Sequence, residues 1–309
     1  MKKTLSLLLA MVLCLPFTGC RDSAKQNSSA ETQISAEQPS YASAKISYLG
    51  PEGTYTQEAC EVFFDKQGEL LPYVTVNNEV KSLTDQETDY AVIPQENTIG
   101  GAVTEYLDTL IANSTVAVTG EVELPISQNL LTLPGTQLSQ IKTVYSHKQG
   151  IVQGKEWLEQ NLPDAEVIEV SSTAEGAKKV SEEKDSSCAA IASAGCAEVY
   201  GLELLAAEIQ NNDRNKTRFY VLTTKAPAQA KSDRLAFLAS GSASDLPALM
   251  SAIQKQGMKL ITLHDRPQKT ELGQYHYLIE CADSSYESYT KLTQNSGFTF
   301  RYLGSFPLR

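Results

Sequence analysis

Four short polar segments hold the side chains able to do chemistry. The first is Gly50-Pro51-Glu52-Gly53-Thr54-Tyr55-Thr56. The second is Pro94-Gln95-Glu96-Asn97-Thr98-Ile99-Gly100-Gly101. The third is Ser146-His147-Lys148-Gln149, with Gln153 one turn further on. The fourth is Asn215-Lys216-Thr217-Arg218-Phe219. Hydroxyls, amides, carboxylates and a guanidinium dominate this set. A helix opening after Gly53 offers free N–H groups to an anion. The second segment follows an apolar run and precedes a helical one, the strand-end position where α/β folds place ligands. Ser146 ends another strand and is a natural N-cap. An Arg at a strand start suits a bidentate grip on a carboxylate. Taken singly, each segment also fits a plainer role: capped turn, helix cap or edge strand.

Other chemistries lack their residues. Nucleophile-elbow, zinc-protease, P-loop and dinucleotide patterns are absent. The chain has three His, at 147, 264 and 276. No CxxC pair occurs, and no Cys or His lies at metal-ligand spacing. Neither a metal nor a cofactor is therefore predicted. Cys60, Cys188, Cys196 and Cys281 sit among apolar residues and read as core thiols, with a disulfide left open. A net charge of −11 argues against a nucleic-acid partner, which needs excess Lys and Arg. It permits an anionic small molecule in a locally favourable pocket.

The elements that must position these segments alternate between strand and helix. Strands are predicted at 45–50, 89–94, 115–123, 142–146, 167–170, 188–192 and 215–223, with helices at 54–65 and 102–112. Such alternation indicates an α/β architecture. The chain leaves one unit near 115–125 and returns near 210–220, which predicts two lobes and a ligand cleft between them. The tail differs. Strand 234–240, helix 245–255, strands 259–266 and 275–280, helix 284–295 and strand 299–304 follow the βαββαβ, ferredoxin-like order. A module this small needs a partner surface, so a homodimer or higher assembly is expected.

The first twenty residues stand apart. Met1-Lys2-Lys3 is positive, Leu5 to Phe17 is apolar, and Thr18-Gly19-Cys20 follows. This is a secretory signal pattern, too short to span a bilayer, which takes roughly 17–25 residues. Thr18-Gly19-Cys20 resembles the bacterial lipobox, which implies cleavage before Cys20 and lipidation of its sulfur. Residues 21–43, rich in Ser, Ala, Gln and Glu, read as a flexible tether. The expected location is outside the cytoplasmic membrane, held there only by the lipid.

Together, the four segments, in this order and spacing, resemble the prephenate dehydratase family. Leu263-His264-Asp265-Arg266-Pro267, followed by Lys269-Thr270-Glu271-Leu272-Gly273, resembles that family's ACT regulatory domain. The resemblance covers 45–309. It implies a two-lobed catalytic domain of periplasmic-binding-protein type II architecture at 44–226 and an ACT domain at 232–309. It implies conversion of prephenate to phenylpyruvate in phenylalanine biosynthesis. By the family's pattern, Thr217 donates to the leaving hydroxyl, Arg218 positions a carboxylate and Phe219 packs behind them. Glu96, Asn97, Ser146 and Gln153 would complete the catalytic set, with Thr54, Thr98, Gly101 and Gln149 touching substrate. Ala248, Leu249, Asp265, Arg266 and Pro267 would line a phenylalanine effector site. The chain departs from the pattern at Lys148, where the family has Pro, at Pro247 for Gly and at His264 for Glu. The chemistry suits the residues. Prephenate is a dianion that becomes aromatic by losing CO₂ and hydroxide, so orientation and hydrogen bonding suffice. Two further readings stay open: a solute-binding lipoprotein without turnover, and an arogenate dehydratase.

Overall fold

The computed structural model describes residues 40–294 and 297–309. The leader, Cys20 and tether residues 21–39 lie outside the described residues. Lobe one runs through β1 (Lys45–Leu49), α1 (Tyr55–Phe63), β2 (Glu69–Tyr73), α2 (Val76–Thr84), β3 (Tyr90–Asn97), β4 (Gly101–Ala102), α3 (Thr104–Ala112) and β5 (Ala117–Pro125). The chain then crosses to lobe two. That lobe holds β6 (Asn129–Thr132), β7 (Thr143–Ser146), α4 (Lys148–Gln153), α5 (Lys155–Asn161), β8 (Glu166–Glu169), α6 (Thr173–Glu183), β9 (Cys188–Ala192), α7 (Gly195–Tyr200) and β10 (Glu203–Ala206). It crosses back into β11 (Lys216–Thr223), which inserts between β3 and β5 to give the order β2-β1-β3-β11-β5. Lobe two has the order β10-β6-β9-β7-β8. Two crossings between two sheets are the architecture that the strand pattern predicts.

Both faces of each lobe sheet are covered, which explains the unbroken apolar runs. The β9 sequence Cys-Ala-Ala-Ile-Ala is buried at every position. In lobe one, Ile46, Tyr48, Val92, Phe219 and Val221 pack under α1 with Phe63 and Phe64. The opposite face packs Ile93, Tyr220 and Leu222 against α2, α3 and the C-terminal module. Cys60, Cys188, Cys196 and Cys281 are buried free thiols.

The C-terminal module comprises β12 (Arg234–Ser242), α8 (Leu246–Lys255), β13 (Lys259–Pro267), β14 (Gln274–Ala282), α9 (Tyr286–Thr293) and β15 (Thr299–Phe306). Its antiparallel sheet has the order β13-β14-β12-β15. Period-two alternation divides β12 between two cores. Leu235, Phe237 and Ala239 face α8 and α9, while Ala236 and Leu238 face lobe one. The tail after β15 runs along β5: the Glu121 N–H donates to the Pro307 carbonyl at 3.0 Å and the Arg309 N–H to the Glu121 carbonyl at 2.9 Å.

The sequence reading missed β2 and α2. β2 carries Pro72 and is half-exposed, which blunts a strand signal. α2 buries Val76, Val80 and Leu83 behind a Thr75 N-cap, a helical spacing diluted by its Asn and Lys residues.

Candidate active site

Thr217 and Phe219 project from one face of β11 into a cavity of about 230 Å³ between the lobes. Asn97, at the end of β3, lies directly across the ladder from Thr217. The Asn97 Oδ1 accepts the N–H groups of Ile99 at 3.0 Å and Gly100 at 2.9 Å. Backbone N–H groups can only donate, so the amide orientation is fixed. Nδ2 then donates to Thr217 Oγ1 at 2.9 Å and to Asn215 Oδ1 at 2.9 Å. Because Thr217 Oγ1 accepts from Asn97, its own proton is left to donate elsewhere. Among the described residues no protein acceptor takes it, and the cavity is its open side.

Lobe two closes over this pair. Gln149 Nε2 donates to Asn97 Oδ1 at 3.3 Å, bridging the lobes. Gln153 is buried and accepts from Gln128 Nε2 at 2.9 Å, which leaves the Gln153 NH₂ available to a ligand. Gly150 lets α4 approach closely: a Cβ there would lie 2.5 Å from Ser146 Oγ and 3.1 Å from Thr173 Cγ2. On the other side, the Tyr55 hydroxyl donates to the Ser127 carbonyl at 2.5 Å. Burial pushes this phenol well above its ordinary pKa, so it stays a neutral donor.

No Lys or Arg is among the lining residues. Three helix starts line the cavity instead. Thr54 caps α1, with its side chain accepting from the Gln57 N–H. His147 caps α4 and Ser172 caps α6, with Ser172 Oγ accepting from the Glu175 N–H at 3.0 Å. The starts of three helices, with their partial positive charges, therefore border one space.

Several residues lie elsewhere than the sequence reading put them. Ser146 is neither cap nor lining residue; its Oγ donates to the Ile191 carbonyl at 2.7 Å under α4, and His147 takes the cap. Thr98 and Gly101 are exposed, with Thr98 Oγ1 donating to the Lys216 carbonyl. Arg218 and Glu96 face away from the cleft. Strand alternation turns Arg218 opposite to Thr217, and it pairs there with Glu121, Glu280 and Glu96. A bulge opposite Arg218–Phe219 sets Gln95 and Glu96 on that same rear side, as bulges re-aim side chains. Thr54, Asn97, Gln149, Gln153, Thr217 and Phe219 do share the cavity. Gln128 and Ser171-Ser172-Thr173 line it as well and were missed. Ser172 with Glu175 has the S-x-x-E signature of a helix start, a signal that was present. Gln128 lies on a crossover and carried none.

Known proteins share this chain's sequence pattern and fold. The pattern of the prephenate dehydratase domain matches residues 46–227. A bifunctional chorismate mutase/prephenate dehydratase of Neisseria gonorrhoeae is 36% identical over 76% of this chain, which spans 65% of that relative's length. The prephenate dehydratase of Lactococcus lactis subsp. cremoris is 34% identical over 79% of this chain and 88% of its own. A prephenate dehydratase of Arthrobacter aurescens, solved in complex with L-Phe, superposes with a TM-score of 0.77 at 26% identity, covering 85% of this chain and 90% of its own. With over half the chain matched by the domain pattern, and a relative 34% identical over most of its own length, this chain belongs to the prephenate dehydratase family.

Proposed function

We propose that the interlobe cleft binds the prephenate dianion and releases phenylpyruvate, CO₂ and, with one proton from solvent, water. The observation that carries this reading is the Asn97–Thr217 hydrogen bond, which turns the Thr217 proton toward the cavity. As the ring C–CO₂ bond breaks, its electron pair enters the ring, and the opposite C–O bond breaks. Negative charge gathers on the departing oxygen, where a positioned donor stabilises it. Threonine is too weak an acid to surrender its proton outright, so Thr217 acts by hydrogen bonding. The two carboxylates are held by the three helix starts, replacing the guanidinium assigned to that task from the sequence.

The C-terminal module fits an ACT regulatory domain by its βαββαβ order, and phenylalanine is its proposed effector. The L-Phe complex of the related Arthrobacter aurescens protein supports this. Ala248, Asp265 and Pro267 are exposed and open to a ligand. Leu249 is core, and Arg266 grips Asp108 of α3 at 2.5 and 2.6 Å. The edge strand β13 leaves Leu260 and Ile261 exposed, which suits a second copy alongside. Export and a lipid on Cys20 rest on the leader sequence alone; a mature N-terminus lacking the lipidated Cys20 mass would reject the lipid, and an uncleaved leader would reject export.

The test is turnover. Protein from residue 21 onward is expected to form phenylpyruvate from prephenate, read by absorbance, with no added metal or nucleotide. Tight prephenate binding without product would favour the solute-binding alternative. Added phenylalanine is expected to change the rate and to give heat on titration; neither effect would reject the effector role.

A further inference from the structure

The rear face of the catalytic strand is as elaborately built as the front. Arg218 follows Thr217 in β11, and its side chain enters a buried cluster shared with the C-terminal module. Its Nη2 donates to Glu280 Oε1 at 2.5 Å, its Nη1 to Glu96 Oε2 at 3.3 Å and its Nε to Glu121. Glu280 belongs to β14 of the module and is fully buried. It also accepts from the Tyr220 hydroxyl at 2.6 Å and from Gln95 Nε2 at 3.4 Å.

These partners are not scattered. Arg218 is next to Thr217, and Gln95 is two residues before Asn97. Glu280 therefore fastens, from behind, both strands that carry the hydrogen-bonded Asn97–Thr217 pair. The bulge at Gln95–Glu96 is what allows it: two consecutive β3 residues point rearward before Asn97 turns to the cleft.

We propose that Glu280 is a positioning residue for Thr217, acting through Arg218, so that the seating of the C-terminal module sets the aim of the catalytic hydroxyl. This rests on the reading of Thr217 as donor. A shift of β14 would move the Arg218 guanidinium, and with it the backbone one residue from Thr217. An effector bound to the module can thus reach the cleft through two side chains, with no rearrangement of the lobes.

Glu280→Gln tests it. The amide keeps shape and removes one of the two fully buried charges that hold Arg218. Because misplacement by about 1 Å can cost about 10²-fold in rate, kcat is expected to fall at least about tenfold. KM should change less than about threefold, because the helix starts that bind the carboxylates are untouched. Counting sites by calorimetric titration with phenylpyruvate separates this from partial unfolding, which lowers site number and leaves kcat per site unchanged. A second arm needs no turnover. With threonine methyls labelled, the Thr217 resonance, identified by its loss in Thr217→Ser, should move in Glu280→Gln. If wild-type protein makes no phenylpyruvate, the functional reading fails and the methyl arm alone judges the coupling. An unmoved Thr217 methyl, or kcat per site within about twofold of an active wild type, overturns the proposal. If Glu280→Gln does not fold, Tyr220→Phe removes one hydrogen bond to Glu280 and is judged by the same readouts.

Discussion

Replacing Thr217 by valine is expected to lower kcat by about 10²- to 10³-fold, the usual loss when one donor to a developing oxyanion is removed. Valine matches threonine in shape, so Phe219 and the Asn97 loop should keep their places. The Asn97 Nδ2 retains Asn215 Oδ1 as acceptor, which limits the cost of losing Thr217 Oγ1. KM should stay within about threefold, since the donor acts on charge that appears only as the C–O bond breaks. Thr217→Ser restores the hydroxyl and should recover most of the rate. Steady-state rates with thermal unfolding of all three proteins check this. A valine variant as active as wild type would remove Thr217 from the chemistry and leave the cleft without its donor.

How much of this could be read beforehand depends on which physics each residue obeys. Two lobes were legible because buried strands such as Cys188–Ala192 write themselves as apolar runs. The Thr217–Asn97 pair was legible because Asn97 ends a strand, Thr217 lies at the start of another, and neither is apolar. Arg218 was misread because an Arg beside a catalytic Thr looks like a carboxylate clamp. Strand alternation alone would have turned it to the rear, since neighbours on a strand face opposite ways. The bulge at Gln95–Glu96 broke that same rule on β3, and Pro94 just before it was the one sign of it. The three helix starts at the cavity were half-visible. Thr54 and the Ser172…Glu175 spacing were in plain sight, yet their convergence depends on the crossings at 126–128 and 207–215, which no local pattern encodes. Glu121 and Glu280 were invisible for a different reason. Glu121 shares its strand with the partly exposed Glu123, Glu280 follows a polar strand start, and the partners of both lie far away in sequence.

That rear cluster makes the second large prediction. Arg218→Ala should destabilise the fold by about 3–5 kcal/mol at neutral pH, because it strips a buried ion group of the more engaged of its two cations and leaves the carboxylates behind. Arg218 stays charged because the attraction of Glu280 and Glu121 outweighs the burial that opposes it. Glu121 is pushed upward, by burial first and by the Glu280 carboxylate second, with Arg218 holding it partly down. The sign of the pH dependence follows. A carboxyl whose folded pKa exceeds its unfolded value gives its full stabilisation below the unfolded pKa and loses it as pH rises through the folded one. Without Arg218 the Glu121 pKa climbs further and the loss extends over a wider range. The stability gap between wild type and Arg218→Ala should therefore be small in acid and grow toward pH 8, where Arg234 is the remaining cation beside Glu121 and Glu280. Urea unfolding of both proteins at about pH 5 and about pH 8 measures it. The opposite pattern has a definite meaning: undiminished stability at both pH values with KM for prephenate raised would place the guanidinium in the cleft on the substrate. The buried cluster predicts the reverse, a protein that binds its dianion through helix starts and needs Arg218 to hold the sheet behind Thr217 together.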